Sequence, residues 1–204
     1  MNFPSHLNAF FYIAGSSLFI VGSILFHPHY SATLALYKTG VCTFTLGSLL
    51  FGLAALQQLL KNFQSISSEH DGLINECKPF DMDLAVSLCR DTIASISGLL
   101  FIVGSAAFWP SFAHGGALVG NWLYRCGASL GVVNSLWSLI RLQKKSAWFS
   151  TLKVMALLSL LGSIGFLIGG VYFLCGDEYD AQGSYGWLFG SIAFLLSSAL
   201  IYGL

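Results

Sequence analysis

Charge is what this sequence has least of. Lys and Arg number 9 and Asp and Glu 9 among 204 residues, a charged share of 9%, where a soluble domain carries about 25%. So few charges cannot solvate the surface of a chain that is 55% apolar with a mean hydropathy of +0.74. A water-soluble globular domain is thereby excluded. No Lys or Arg precedes the first apolar run, and no A-x-A site follows it. That run is therefore expected to remain as a membrane helix, since a cleaved signal has a basic start and a shorter apolar stretch. No CxxC occurs among the five cysteines, Cys42, Cys77, Cys89, Cys126 and Cys175, so neither a disulfide framework nor a zinc site is expected. P-loop, GxSxG, HExxH and dinucleotide-binding fingerprints are missing, and no apolar run holds an Asp or Glu away from its ends. Those absences remove the usual signatures of nucleotide, hydrolase and metalloprotease chemistry, and of proton-coupled transport.

What is present is apolar length. Six runs, about 8–26, 41–60, 88–109, 117–140, 152–174 and 185–203, each approach the roughly 20 residues that a membrane helix needs. An open strand edge has no hydrogen-bond partner in lipid, so all six are read as helices. The fold class expected is all-α: a polytopic membrane bundle of six transmembrane helices. Lys61, Lys78, Arg90, Arg141, Lys144, Lys145 and Lys153 fall in or beside the two even loops; only Lys38 and Arg125 fall towards the other side. Basic residues favour the cytoplasm, which puts both termini there and makes 61–91 a cytoplasmic connecting loop. Within it, Asp81 and Asp83 suit the start of a helix, whose dipole favours carboxylates, so the third helix is expected to begin near Asp81. The basic face of Arg141, Lys144, Lys145 and Lys153 would meet anionic lipid.

The runs also repeat. LFIVGS at Leu18–Ser23 recurs at Leu100–Ser105, each copy followed by a phenylalanine and then a proline, Phe26 and Pro28 against Phe108 and Pro110. Tyr37-Lys38-Thr39-Gly40 likewise matches Tyr124-Arg125-Cys126-Gly127, and FLIGG at 166–170 is a weaker copy of FIVGS. The unit is one αα-hairpin used three times in a single domain, 1–204, over 9–60, 92–142 and 154–204. Small residues stand seven apart in every helix: Gly15 and Gly22, Gly40 and Gly47, Ser97 and Gly104, Gly120 and Gly127, Gly162 and Gly169, Gly183 and Gly190. Two helical turns separate each pair, so each forms a stripe on one face, through which helices approach closely in lipid.

The pattern G-S-x-L-F-I-x-G-S, a short turn, then a second helix with G-S-L-L-F resembles the YrhK-like domain, a two-helix membrane module found mainly in bacterial proteins. The resemblance covers about 9–60, 92–142 and, more loosely, 154–204. It implies the hairpin architecture and a bacterial inner membrane, and supplies no catalytic residue.

Three residues stand out as polar contacts or as lining for a pathway. Lys38 and Arg125 occupy equivalent repeat positions, each after a tyrosine; either they snorkel to the interface or Arg125 pairs with Asp177, Glu178 or Asp180. Asn134 is the amide well inside a run, where such a group bonds a neighbouring helix or a solute. His27, His29 and His114 share the outer side with Cys175, but their spacing matches no metal site, and neither a metal nor another cofactor is expected. The function these features favour is non-enzymatic: a structural or accessory membrane subunit that packs or docks through its glycine and serine faces. Its partners would be the lipid bilayer and either further copies or other membrane proteins, with no nucleic acid. The alternative is a small-solute transporter or channel with a pathway between the hairpins.

Overall fold

Proline and glycine set where the helices stop. In the computed structural model, which describes residues 5–73, 82–145 and 150–201, α1 spans Ser5–Leu25. It ends because Pro28 holds His27 extended, at φ −60 and ψ 136. The single turn α2, Pro28–Ser31, starts on that proline, whose missing N–H costs nothing at a first helical position. After it come α3, Leu34–Leu73, and α4, Met82–Ala107. A 3-10 turn at Pro110–Phe112 then leads into α5, Ala113–Lys145. Ser150 caps α6, Thr151–Cys175, by accepting from the Lys153 N–H, and Gly176 closes that helix at φ +124, where a side chain would be strained. A last 3-10 turn, Asp177–Tyr179, precedes α7, Asp180–Ile201. Among the described residues every regular element is helical.

Each long helix packs on the next in sequence, and α7 packs back on α1. The result is a closed ring of six antiparallel helices made from the hairpins α1/α3, α4/α5 and α6/α7. The outside of the ring is apolar: Leu46, Leu53, Leu99, Val103, Ile168 and Phe189 are among its exposed side chains. Water does not tolerate an apolar surface that continuous. Among the described residues, five helical stretches are long and apolar enough to cross a bilayer: Leu7–Leu25, Leu34–Ser65, Leu84–Ala107, Thr151–Cys175 and Asp177–Leu200. The run at 117–140, expected as a further span, lies in α5 and is not among these five; Asn121, Arg125 and Asn134 lower its apolarity.

The stretch expected as a connecting loop, 61–91, is helical at both ends, because α3 continues to Leu73 and α4 has begun by Met82. No proline interrupts the chain between Pro28 and Lys78, so nothing stops α3 at the membrane surface. At 1.5 Å per residue this helix is about 60 Å long, twice the hydrocarbon thickness of a bilayer, and it projects beyond one. Cys77, Lys78 and Asp81 lie outside the described residues.

Candidate functional site

The glycine stripes face inward along each hairpin, and aromatic rings fill them. A Cβ on Gly22 would meet the Phe44 ring at 2.5 Å, on Gly104 the Tyr124 ring at 2.8 Å, and on Gly169 the Trp187 ring at 2.5 Å. The returning helices reciprocate, with Gly47 against Phe19, Gly127 against Phe101 and Gly190 against Phe166. Gly15 receives Phe51 and Gly162 receives Phe194, while Gly40, Gly120 and Gly183 receive Phe26, Phe108 and Phe173. Ser97 instead donates its hydroxyl to the Gly127 carbonyl at 2.8 Å.

These rings are themselves periodic, each standing four residues after a small residue of the stripe. The rule holds at eleven of the twelve stripe positions; the exception is Gly127, where the fourth residue is Gly131. Because the hairpins surround one axis, the rings gather into layers of three. Phe19, Phe101 and Phe166 form one closed triangle, with centroids 5.6 to 6.4 Å apart. Phe44, Tyr124 and Trp187 form the next, at 5.1 to 5.8 Å. Phe26 and Phe108 lie 5.5 Å apart beyond it, with Phe173 against Trp187. At the other end Phe51 and Phe194 pair at 5.6 Å, and the third ring of that layer is the missing one.

A cavity of about 630 Å3 opens at that incomplete layer. All six long helices line it. Its floor is Phe19, Phe51, Phe101, Phe166 and Phe194, and Gly131 stands at the level of the floor. Counting along α4 from Phe101 to Arg90, it is on the order of 15 Å deep. Arg90 and Arg141 belong to its mouth, at the end of the ring where α4 begins and α5 finishes. Between floor and mouth the walls carry serines and Asn134. A separate hollow of about 280 Å3 lies between α1 and α7 at the opposite end, lined by Ser23, His27, His29 and Tyr185 among others. The complete aromatic layers stand between the two.

Residues 5–63 match the family described as YrhK-like protein. The matched segment is α1, the outer turn and most of α3, which is the first hairpin of the ring. No curated protein and no solved structure matches the chain. The YrhK-like hairpin contributes Tyr12, Phe19, Phe51 and Ala55 to the cavity, while Gly131 and both arginines come from the second hairpin.

The three polar residues singled out by the sequence do not meet. Asn134 lines the cavity, and its buried Oδ1 has no hydrogen-bond partner among the described residues. Arg125 lies away from the cavity: its stem packs on Gly170 of α6, and its guanidinium sits 4.3 Å over the Trp122 ring. Lys38 has its Nζ 5.9 Å from the Trp109 ring. Among the described residues no acid pairs with Arg125; an indole takes the place expected for Asp177, Glu178 or Asp180. Cys42, Cys89, Cys126 and Cys175 are exposed on the outside of the helices. No group of three His, Cys, Asp or Glu converges among the described residues.

Sequence reasoning missed the serines, Arg90, Arg141 and Gly131 as parts of one site. The signal was available in the four-residue offset between small and aromatic residues, which places the rings on the axis and marks the one position where a ring is lacking.

Proposed function

We propose that this chain is a six-span, non-enzymatic membrane protein that holds a small polar solute in a one-ended vestibule. The cavity carries the reading: a polar lumen inside an apolar ring, closed on one side by complete aromatic layers. A bundle whose role were packing alone would gain nothing from a lumen of this size, whereas 300–1,000 Å3 is the usual range of ligand sites. The sixth span is α5, which lies between α4 and α6 in the ring and has 33 residues. Lys61, Arg90, Arg141 and Lys153 lie towards one end of the ring, which supports a cytoplasmic mouth and cytoplasmic termini. The YrhK-like first hairpin supports a bacterial inner membrane as its location. A binding role rather than catalysis accords with the wall serines, most of whose protons go to backbone carbonyls and not to a base.

Cysteine accessibility tests this reading. In a background freed of the native cysteines, Ser135→Cys and Ser197→Cys are exposed in right-side-out and inside-out vesicles to a membrane-impermeant, charged thiol reagent. Reaction from the cytoplasmic side alone is expected. Reaction from both sides would make the protein a channel, and reaction from neither would leave the cavity without access to water.

A further inference from the structure

The donors and acceptors of the cavity are sorted by depth, and this sorting specifies a ligand. Near the floor, on α4, α6 and α7, the hydroxyl protons are already committed. Ser163 donates to the Ser159 carbonyl at 3.0 Å and Ser198 to the Phe194 carbonyl at 2.7 Å. Ser197 donates to the Met155 carbonyl at 3.0 Å, so in its 2.9 Å contact with Ser159 it must accept. Ser97, bonded to the Gly127 carbonyl, is committed in the same way. A carbonyl cannot donate, so each of these serines turns only lone pairs towards the lumen. Below them lie five phenylalanines, rings of the kind whose π-faces attract cations. On α4, α6 and α7 the deep half of the cavity therefore offers acceptors, while Asn134 and Ser135 of α5 can still donate. The mouth is the reverse: Arg90 and Arg141 are donors with permanent positive charge, and Arg90 Nε is buried with no hydrogen-bond partner among the described residues.

We propose that the vestibule binds a small zwitterion, its ammonium group against the aromatic floor and its anionic group at Arg90 and Arg141. The proposal rests on the vestibule reading above and adds the ligand class. A simple anion would use the mouth and leave the deep acceptors facing nothing. A simple cation would leave the buried Arg90 Nε without a partner. A molecule carrying both charges a few bonds apart satisfies each half. The same chemistry occurs in a free solute such as phosphocholine and in the headgroup of a zwitterionic phospholipid.

The test is calorimetric titration of the full chain in a maltoside detergent with phosphocholine, choline and inorganic phosphate. Phosphocholine is expected to bind saturably and at least tenfold more tightly than either fragment. In Arg90→Gln its affinity should fall to that of choline, with the melting temperature of the variant checked separately. The source is distinguished in nanodiscs. If phosphocholine binds in phosphatidylglycerol discs but not in phosphatidylcholine discs, a lipid headgroup is the occupant; binding in both identifies a free solute. Phosphate binding as tightly as phosphocholine would overturn the proposal in favour of a plain anion site. No saturable phosphocholine binding, by a protein whose Ser135→Cys and Ser197→Cys variants react from one side, would overturn it too while leaving the vestibule standing.

Discussion

At the scale of single residues, what matters is whether a glycine faces a ring or open space. Gly169 lies where a Cβ would come within 2.5 Å of Trp187 and 2.7 Å of the Gly183 carbonyl, and the backbone of α7 cannot yield without moving the hairpin. Gly115, also helical, has nothing within 4 Å. Gly169→Ala should therefore lower stability by about 1–3 kcal/mol, the usual effect of overpacking. Gly115→Ala should be neutral or stabilising by up to about 1 kcal/mol, because alanine is the better helix former. Equilibrium unfolding in mixed detergent reads the difference. The seven-residue stripe was legible in the sequence because it is a local spacing. The destination of the aromatic rings was not: Phe19 and Phe101 sit in runs that are apolar on every side. In lipid, hydropathy gives no contrast between inward and outward faces.

At the scale of elements, the hairpins join through hydroxyls. Ser105 on α4 donates to its own Phe101 carbonyl, and so accepts from Ser48 of α3 at 2.9 Å and from the Tyr124 hydroxyl of α5 at 2.6 Å. One oxygen thus ties three helices. Ser105→Ala would leave two buried donors without their acceptor, for which a loss of about 1–3 kcal/mol is expected. The control is Ser17→Ala, whose exposed hydroxyl bonds only Ile13 in its own helix; it should change the unfolding midpoint little. Equal effects of the two substitutions would count against the shared-acceptor account. The all-helical class follows from apolar length, and α4 is in place by Met82, where the dipole preference of Asp81 and Asp83 led a helix to be expected. The long extension of α3 was harder to see, because polar residues after Lys61 look like loop when only membrane spans are sought, although nothing there breaks a helix.

At the scale of the whole molecule, three hairpins make a ring, and its cavity opens at the single departure from the small-to-aromatic spacing. Eleven small residues of the stripe are each followed by a ring four positions on; after Gly127 the ring is replaced by Gly131. That layer keeps only Phe51 and Phe194, and the lumen begins where the third ring would stand. The sequence alone did not reveal this, since an absent side chain is visible only against a register that the packing defines. Restoring the ring is the most direct test. A Cβ at Gly131 would lie 2.6 Å from the Ser163 hydroxyl, so Gly131→Phe is paired with Ser163→Gly. The rate at which Ser135→Cys reacts with the impermeant thiol reagent is then compared with and without the pair, at matched melting temperatures. The account predicts that the added ring slows the reaction at least tenfold; an unchanged rate in a folded protein would contradict it.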